Sequence, residues 1–189
     1  MISAIVLAAG EGKRFGGTKQ LELVSGKPLV QYAVDAAAEA GIGEIVVVLG
    51  HDAERVREAL ELSETARIVV NDRYAEGQAT SLAAGIDALD ESSDAAVVLL
   101  ADQPGITAED VRALVRMYAL RRTPVVRLRF RDAPGPVLLS REIWREALAL
   151  EGDTGARALI DAHPELVEEI HIDEDAPADV DVRGDLERA

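Results

Sequence analysis

The sequence predicts an α/β fold, a three-layer α/β/α arrangement around a mostly parallel sheet. Three observations predict it. Strand-like and helix-like segments alternate through the first two thirds of the chain. The strand-like segments are continuous apolar runs rather than alternating ones, as expected of strands buried on both faces. The composition is 48% hydrophobic but only 3% aromatic, so the core must be built from Ala, Val, Leu and Ile. At 189 residues the chain suits one domain, spanning residues 1–189.

The elements follow in order. Ile2–Ala9 is an apolar run that ends at Gly10, a strand feeding a glycine-rich loop. Residues 28–40 carry apolar side chains at helical spacing and stop at Gly41. A Val-rich strand over 44–49 ends at Gly50, and a helix with charges on one face is expected over 53–62. A short strand at 67–70 leads through a loop to a helix over 79–89. Residues 95–101 form the most apolar run in the chain, which stops at Asp102-Gln103-Pro104-Gly105. Thr107 is placed to cap a helix over 107–120, with Glu109 and Asp110 in its first turn. Strands at 125–130 and 136–139, helices at 141–150 and 156–162, and a strand at 167–172 complete the pattern, with a last amphipathic piece at 185–188. Trp144, at helical spacing, reads as core rather than a stacking platform, and His51, His163 and His171 are too scattered to form a ligand cluster.

Bulk properties narrow the function. The net charge of −15 argues against nucleic acid as a partner. The absence of Cys rules out disulfides, thiolate metal sites and a Cys nucleophile, and fits a reducing cytoplasm. Met1 leads straight into an apolar run too short to span a bilayer and preceded by no basic segment. A cytoplasmic protein with no membrane partner is therefore expected.

In parallel sheets, ligands bind beyond the carboxyl ends of the strands. Three segments fall there: Gly10 onward, Gly50-His51, and Asp102-Gln103-Pro104. The first carries Gly10, Gly12, Gly16 and Gly17, whose freedom lets the backbone bend around a ligand and present successive N–H groups to an anion. The chain has three lysines, and two of them, Lys13 and Lys19, lie in this loop beside Arg14. A triphosphate cradle fits these features, and so does a plain glycine-rich turn. Two better-known phosphate loops do not fit. A third glycine at the G-x-G-x-x-G place is missing, and Thr18-Lys19 reverses the Lys-Ser/Thr order of a P-loop. Asp102, at the end of the most apolar strand, needs a cation or hydrogen-bond donors nearby. It is a candidate Mg²⁺ ligand, since Mg²⁺ favours one or two carboxylates together with phosphate oxygens and water; alternatively it shapes the turn before Pro104.

Leu7-Ala-Ala-Gly-Glu-Gly-Lys-Arg-Phe-Gly-Gly-Thr-Lys-Gln-Leu21 resembles the signature of nucleotidyltransferases with a glycosyltransferase-A-like, nucleotide-diphospho-sugar transferase-like fold. Within that superfamily it is most similar to the molybdenum cofactor cytidylyltransferases. The resemblance implies that Leu7, Ala8, Ala9, Gly10, Glu11, Gly12, Lys13 and Arg14 line a nucleotide site, with Lys19 and Arg14 on the triphosphate. It implies that Ala9, in a Leu-Ala-Ala-Gly version, selects CTP over GTP. It implies that Asp102 binds a catalytic Mg²⁺. Gly50, at its strand end, is assigned to the nucleotide as well. Further along, Asn71, then Gly77 and Ser81-Leu82, resemble a family loop, and Asn71 and Ser81 are assigned to the nucleotide; Ser81 could equally be a plain serine in the first turn of a helix. Gly152-Asp153-Thr-Gly-Ala-Arg157 resembles a segment near the acceptor, to which Gln103, Pro104 and Asp153 are assigned; Asp153 could equally cap the helix after it. The tail around Asp181 resembles the family's last motif, with Asp181 as second metal ligand, although Val182-Arg183-Gly184 departs from it and an acidic solvated tail reads as well.

The implied reaction is attack of the phosphate of molybdenum cofactor on the α-phosphorus of CTP, releasing pyrophosphate, with a molybdenum enzyme as recipient of the product. No side-chain base is needed, because a phosphate monoester is already anionic. One departure bears on the acceptor: Pro134-Gly135-Pro136 stands where the family has Gly-His-Pro, so an imidazole is missing. Three alternatives remain open: another phosphorylated acceptor such as a sugar phosphate, GTP in place of CTP, or a non-catalytic cofactor-binding module.

Overall fold

The structure is a computed structural model and describes residues 1–187. Seven strands form the main sheet: β1 (Ile2–Ala8), β4 (Ile45–Leu49), β5 (Ala66–Val70), β6 (Ala95–Leu100), β7 (Val125–Arg129), β8 (Pro134–Ser140) and β9 (Val167–His171). Their order is β5-β4-β1-β6-β8-β7-β9. β8 alone runs against the others, pairing antiparallel with both β6 and β7. The remaining pairings, β5 with β4, β4 with β1, β1 with β6 and β7 with β9, are parallel. The mostly parallel three-layer fold expected from the sequence is therefore present. β2 (Leu23–Val24) and β3 (Lys27–Pro28) form a small separate hairpin that the sequence reading omits. Each is two residues long, too short to leave a periodicity.

Helices α1 (Leu29–Glu39), α2 (Ala53–Ala59), α3 (Gln78–Asp87), α4 (Ala108–Arg121), α5 (Arg141–Ala147) and α6 (Gly155–Ala162) cover the sheet. Side chains of α1 and α4 pack on one face, against Ala4, Val6, Val47, Val97 and Leu138. Side chains of α3, α5 and α6 pack on the other, against Ile5, Val46, Val48, Val98 and Leu139. The alternation within β1 explains why a continuous apolar run was the right signal: Ala4 and Val6 face one layer, Ile5 and Leu7 the other. Trp144 is buried in the second layer and donates its indole N–H to Leu139 O at 3.1 Å. No helix among the described residues is long and apolar enough to cross a membrane.

Thr107 caps α4 as expected, and its bond with Asp110 closes a reciprocal capping box. Two helices end earlier than their periodicity suggests. α2 stops at Ala59, because Leu60 turns extended and Glu61, Leu62, Ser63 and Glu64 face solvent. α5 stops at Ala147, its last buried residue. β8 begins two residues early, where Pro134 pairs with Arg129 beside a register shift. The piece expected at 185–188 is a 3-10 helix over Arg183–Glu187, and Arg188 lies outside the described residues.

The β1–β4–α3 contact is tight. A Cβ on Gly85 would sit 2.5 Å from Ile5 Cγ2 and 3.2 Å from Val48 Cγ2. Both are branched methyls fixed within strands, so Gly85→Val should destabilise the protein by about 1–3 kcal/mol, from overpacking. Urea unfolding measures this, and a midpoint equal to that of the parent would refute the packing account.

Candidate functional site

β1 lies between β4 and β6, and the chain leaves it outward to β4 and β5 before returning to β6. The crevice at such a reversal, beyond the carboxyl ends of the strands, is where ligands bind. A cleft of about 670 Å³ opens there. That volume suits a small-molecule ligand.

The opening loop forms one wall. It is pinned on both sides: Ala101 N–H donates to Leu7 O at 3.1 Å and His51 N–H to Ala9 O at 3.1 Å. Gly12 has φ +61°, and a Cβ there would lie 2.2 Å from Gly17 O. Only glycine permits that fold-back. Among the described residues, the backbone N–H groups of residues 9–14 donate to no other group of the chain. The loop therefore presents a run of free donors, the arrangement that binds anions. Thr18 ties the loop's end to the start of α2, donating to Asp52 Oδ2 at 2.7 Å. That bond, with Arg55 beside it, holds the Asp52 carboxyl below its ordinary value.

Lys19 sits in a 3-10 turn (Lys19–Leu21) and its ammonium joins three chain segments. It lies 2.6 Å from Asp102 Oδ2, 3.5 Å from Asp181 Oδ1 and 3.2 Å from Val180 O. Arg14 reaches Asp181 Oδ2 at 3.1 Å from an exposed position. Lys13 is also exposed and pairs with Glu11 at 2.6 Å, an interaction that raises its pKa above the ordinary value. Asp102 stands just past β6, and its carbonyl accepts Val180 N–H at 2.9 Å. Asp181 is delivered from the far end of the chain. Val180 is fully buried against Phe15, Val24 and Leu29, and the Asp185 carboxylate accepts the N–H groups of Asp181 and Val182 at 2.9 and 2.8 Å. The tail is thus anchored rather than simply solvated.

The opposite wall is made by Tyr74, Glu76, Gly77, Gln78, Ser81 and Asp153, over a floor of Leu7, Ala9 and Leu100. Of the residues expected at the nucleotide, Leu7, Ala9, Gly10, Glu11, Gly12, Lys13, Arg14, Lys19 and Ser81 line the cleft. Three do not. Ala8 points into the α1 layer. Gly50 is needed for packing, since a Cβ there would meet Tyr74 Cβ at 2.6 Å and Ala9 Cβ at 2.9 Å. Asn71 is buried behind the wall, donating to Thr80 and Ser81 hydroxyls at 2.9 and 3.0 Å and accepting Arg73 N–H at 2.9 Å.

The expected acceptor residues are not brought together. Asp153 lines the cleft, and its carboxylate caps α3 through Gln78 N–H at 3.2 Å, not the helix that follows it. Gln103 instead donates to Asp179 Oδ1 at 2.9 Å and lines a separate pocket with Pro134 and Gly135, while Pro104 is buried and lines neither. The Pro104 ring follows a turn that carries the chain away from the strand ends. Gln20, Tyr74, Glu76 and Gln78 also line the cleft, beyond the residues expected there from the sequence. Gln20 was visible as part of the motif; the others reach the cleft only through the tertiary fold.

Asp102 and Asp181 suit Mg²⁺ held by two carboxylates with substrate phosphates and water, and no group of three or more His, Asp or Glu forms an all-protein cage among the described residues.

Residues 4–167 match the MobA-like NTP transferase domain. The chain belongs to that family. It is a nucleotidyltransferase of the MobA-like NTP transferase kind. Rv0371c from Mycobacterium tuberculosis H37Rv is a structural relative, with a TM-score of 0.88 and 29% identity over 99% of this chain and 96% of that one. A second structure of that protein is a complex with manganese. Mth528 of Methanothermobacter thermautotroptrophicus, a nucleotidyl transferase, aligns with a TM-score of 0.78 at 26% identity over 92% of this chain and 88% of its own. Nicotine blue oxidoreductase of Paenarthrobacter nicotinovorans is 34% identical over 95% of this chain and 92% of its own.

Gly12→Ala should abolish tight NTP binding while the protein still folds, because the added methyl collides with Gly17 O in the loop alone. Calorimetric titration checks this; parent-like affinity would show that the loop is not the anion site.

Proposed function

We propose that this protein transfers a nucleoside monophosphate from CTP, with Mg²⁺, to the phosphate of a small molecule, and that the acceptor is not restricted to molybdenum cofactor. The observation that carries the reading is the convergence of the opening loop, Lys19, Asp102 and Asp181 on one cleft. An acceptor phosphate oxygen attacks the α-phosphorus of CTP. A new P–O bond forms, the bond to the bridging oxygen breaks, and pyrophosphate departs. The protein's task is alignment and charge neutralisation. Lys19, Arg14 and the free loop N–H groups face the negative charge that grows on the leaving pyrophosphate. Asp102 and Asp181 would hold Mg²⁺, which supplies further neutralisation when bound; the manganese complex of Rv0371c supports this choice. Support for CTP comes from Ala9, which lines the floor with its small side chain and leaves room for a base.

Two features turn the acceptor away from a strict molybdenum cofactor assignment. The imidazole is absent at Gly135, and Gln103 and Pro104 do not line the cleft. A phosphorylated metabolite such as a sugar phosphate fits the site equally. A redox role is the second reading, motivated by the name of the Paenarthrobacter relative. The loop lacks the dinucleotide fingerprint, which weighs against it.

Pyrophosphate release with CTP and GTP, each with molybdenum cofactor or with a panel of sugar phosphates, tests the proposal, with reduced nicotinamide oxidation as the competing arm. Release with CTP and at least one phosphorylated acceptor is expected. No release with any donor and acceptor, despite tight cofactor binding, would instead indicate a binding module. Lys19→Ala should lower turnover by about 100-fold or more, and near-parent turnover would remove Lys19 from the mechanism.

A further inference from the structure

Gln20 is 2% exposed, yet it lines the cleft beneath the opening loop. Its Nε2 donates to Ala8 O at 3.2 Å and to Gly10 O at 2.8 Å. Both amide protons are thereby committed, so the orientation of the side-chain amide is fixed. Its Oε1 is buried and receives no hydrogen bond among the described residues. An unpaired buried acceptor costs stability. What the amide brings in return is its hold on the Ala8 and Gly10 carbonyls, since a methionine of similar length would fill the space without an orphaned oxygen but would bind neither carbonyl.

The two carbonyls explain the choice. A trans peptide is planar, with the C=O of one residue antiparallel to the N–H of the next. Drawing Ala8 O and Gly10 O inward to one buried nitrogen therefore turns the N–H groups of Ala9 and Glu11 outward, on the side away from Gln20. Those two N–H groups are among the free donors of the loop. Without the glutamine, both carbonyls lose a partner and either peptide can flip, putting a carbonyl oxygen where a donor should be. A phosphate group would then meet a partial negative charge.

We infer that Gln20 is a positioning residue for the triphosphate: it locks the peptides after Ala8 and Gly10 so that their N–H groups grip phosphate oxygens. This rests on the nucleotide reading of the cleft. It adds a specific consequence, that Gln20 acts through phosphate and not through base or ribose.

The test uses the full chain and calorimetric titration with CTP, GTP, CMP and cytidine. Gln20→Met keeps the length and removes the donors. It should weaken NTP binding by about 10- to 100-fold, as loss of an orienting partner does, with a smaller loss for CMP and little for cytidine. Gln20→Glu provides an independent check. Its carboxylate cannot donate, but its protonated form donates one bond, so its NTP affinity relative to the parent should recover as pH falls. NTP affinity for Gln20→Met within about twofold of the parent overturns the role of Gln20. So does a loss equal for CTP and cytidine, or a pH-independent ratio for Gln20→Glu. If the parent binds no NTP, the nucleotide reading fails and this inference with it; if the parent binds and Gln20→Met binds as well, only the inference fails.

Discussion

The ammonium of Lys19 holds the site together. It is partly buried and has three acceptors: Asp102 from the end of β6, and Asp181 and Val180 O from the tail. These groups are separated by 83 residues on one side and by more than 160 on the other. Without the lysine Asp102 would lose its cation and Asp181 would keep only the exposed Arg14, and removing one member of such a set is costlier than forming the set is favourable. The loop that bears Lys19 is in turn fixed by Thr18 on Asp52, by Gln20 on two carbonyls, and by the fold-back at Gly12. The cleft end of the molecule is thus a junction of three segments, each held by a different kind of bond.

The sheet order decides why the junction forms here. β1 is flanked by β4 and β6, so the loop leaving β1 emerges between the turn at Gly50-His51 and the turn at Ala101-Asp102. His51 and Ala101 each donate a backbone N–H to it. Gly50 lets Tyr74 and Ala9 come within contact. On the far wall, Gly77 and Gly152 pack backbone to backbone, and Ala79 N–H donates to Gly152 O at 3.0 Å. The glycines of this protein thus serve two purposes: bending the loop, and letting the turns around the cleft approach one another.

Much of this was legible in the sequence, for a physical reason. Strands buried on both faces leave continuous apolar runs, so β1, β4 and β6 stand out without any alignment. The loop was legible because its glycines, lysines and arginine are contiguous. Asp102 was legible because a carboxylate at the end of the most apolar run is a local anomaly. What was not legible depends on contacts between distant segments. Asp153 reads as a cap for the helix that follows it, yet it caps α3, whose N-terminus lies 75 residues away. Gln103 and Pro104 sit next to Asp102, but a strand end is a place where neighbours diverge, and they turn to the other side. Asn71 and Gly50 carry motif positions whose work is to support the wall from behind.

The charge of the chain sharpens what the loop must do. At −15 overall, the protein spends most of its cations near the cleft on its own carboxylates: Lys13 on Glu11, Arg14 on Asp181, Lys19 on Asp102 and Asp181. A triphosphate entering this cleft meets few uncommitted side-chain charges. Lys19 and Arg14 share their charge with those carboxylates, so the backbone donors of residues 9–14, which no carboxylate neutralises, would carry much of the proposed phosphate binding. An uncharged donor array works only if every dipole points the right way, because one reversed peptide replaces attraction with repulsion. In a protein so acidic, the orientation of a few peptide planes therefore carries weight that side-chain charge would carry in a basic one.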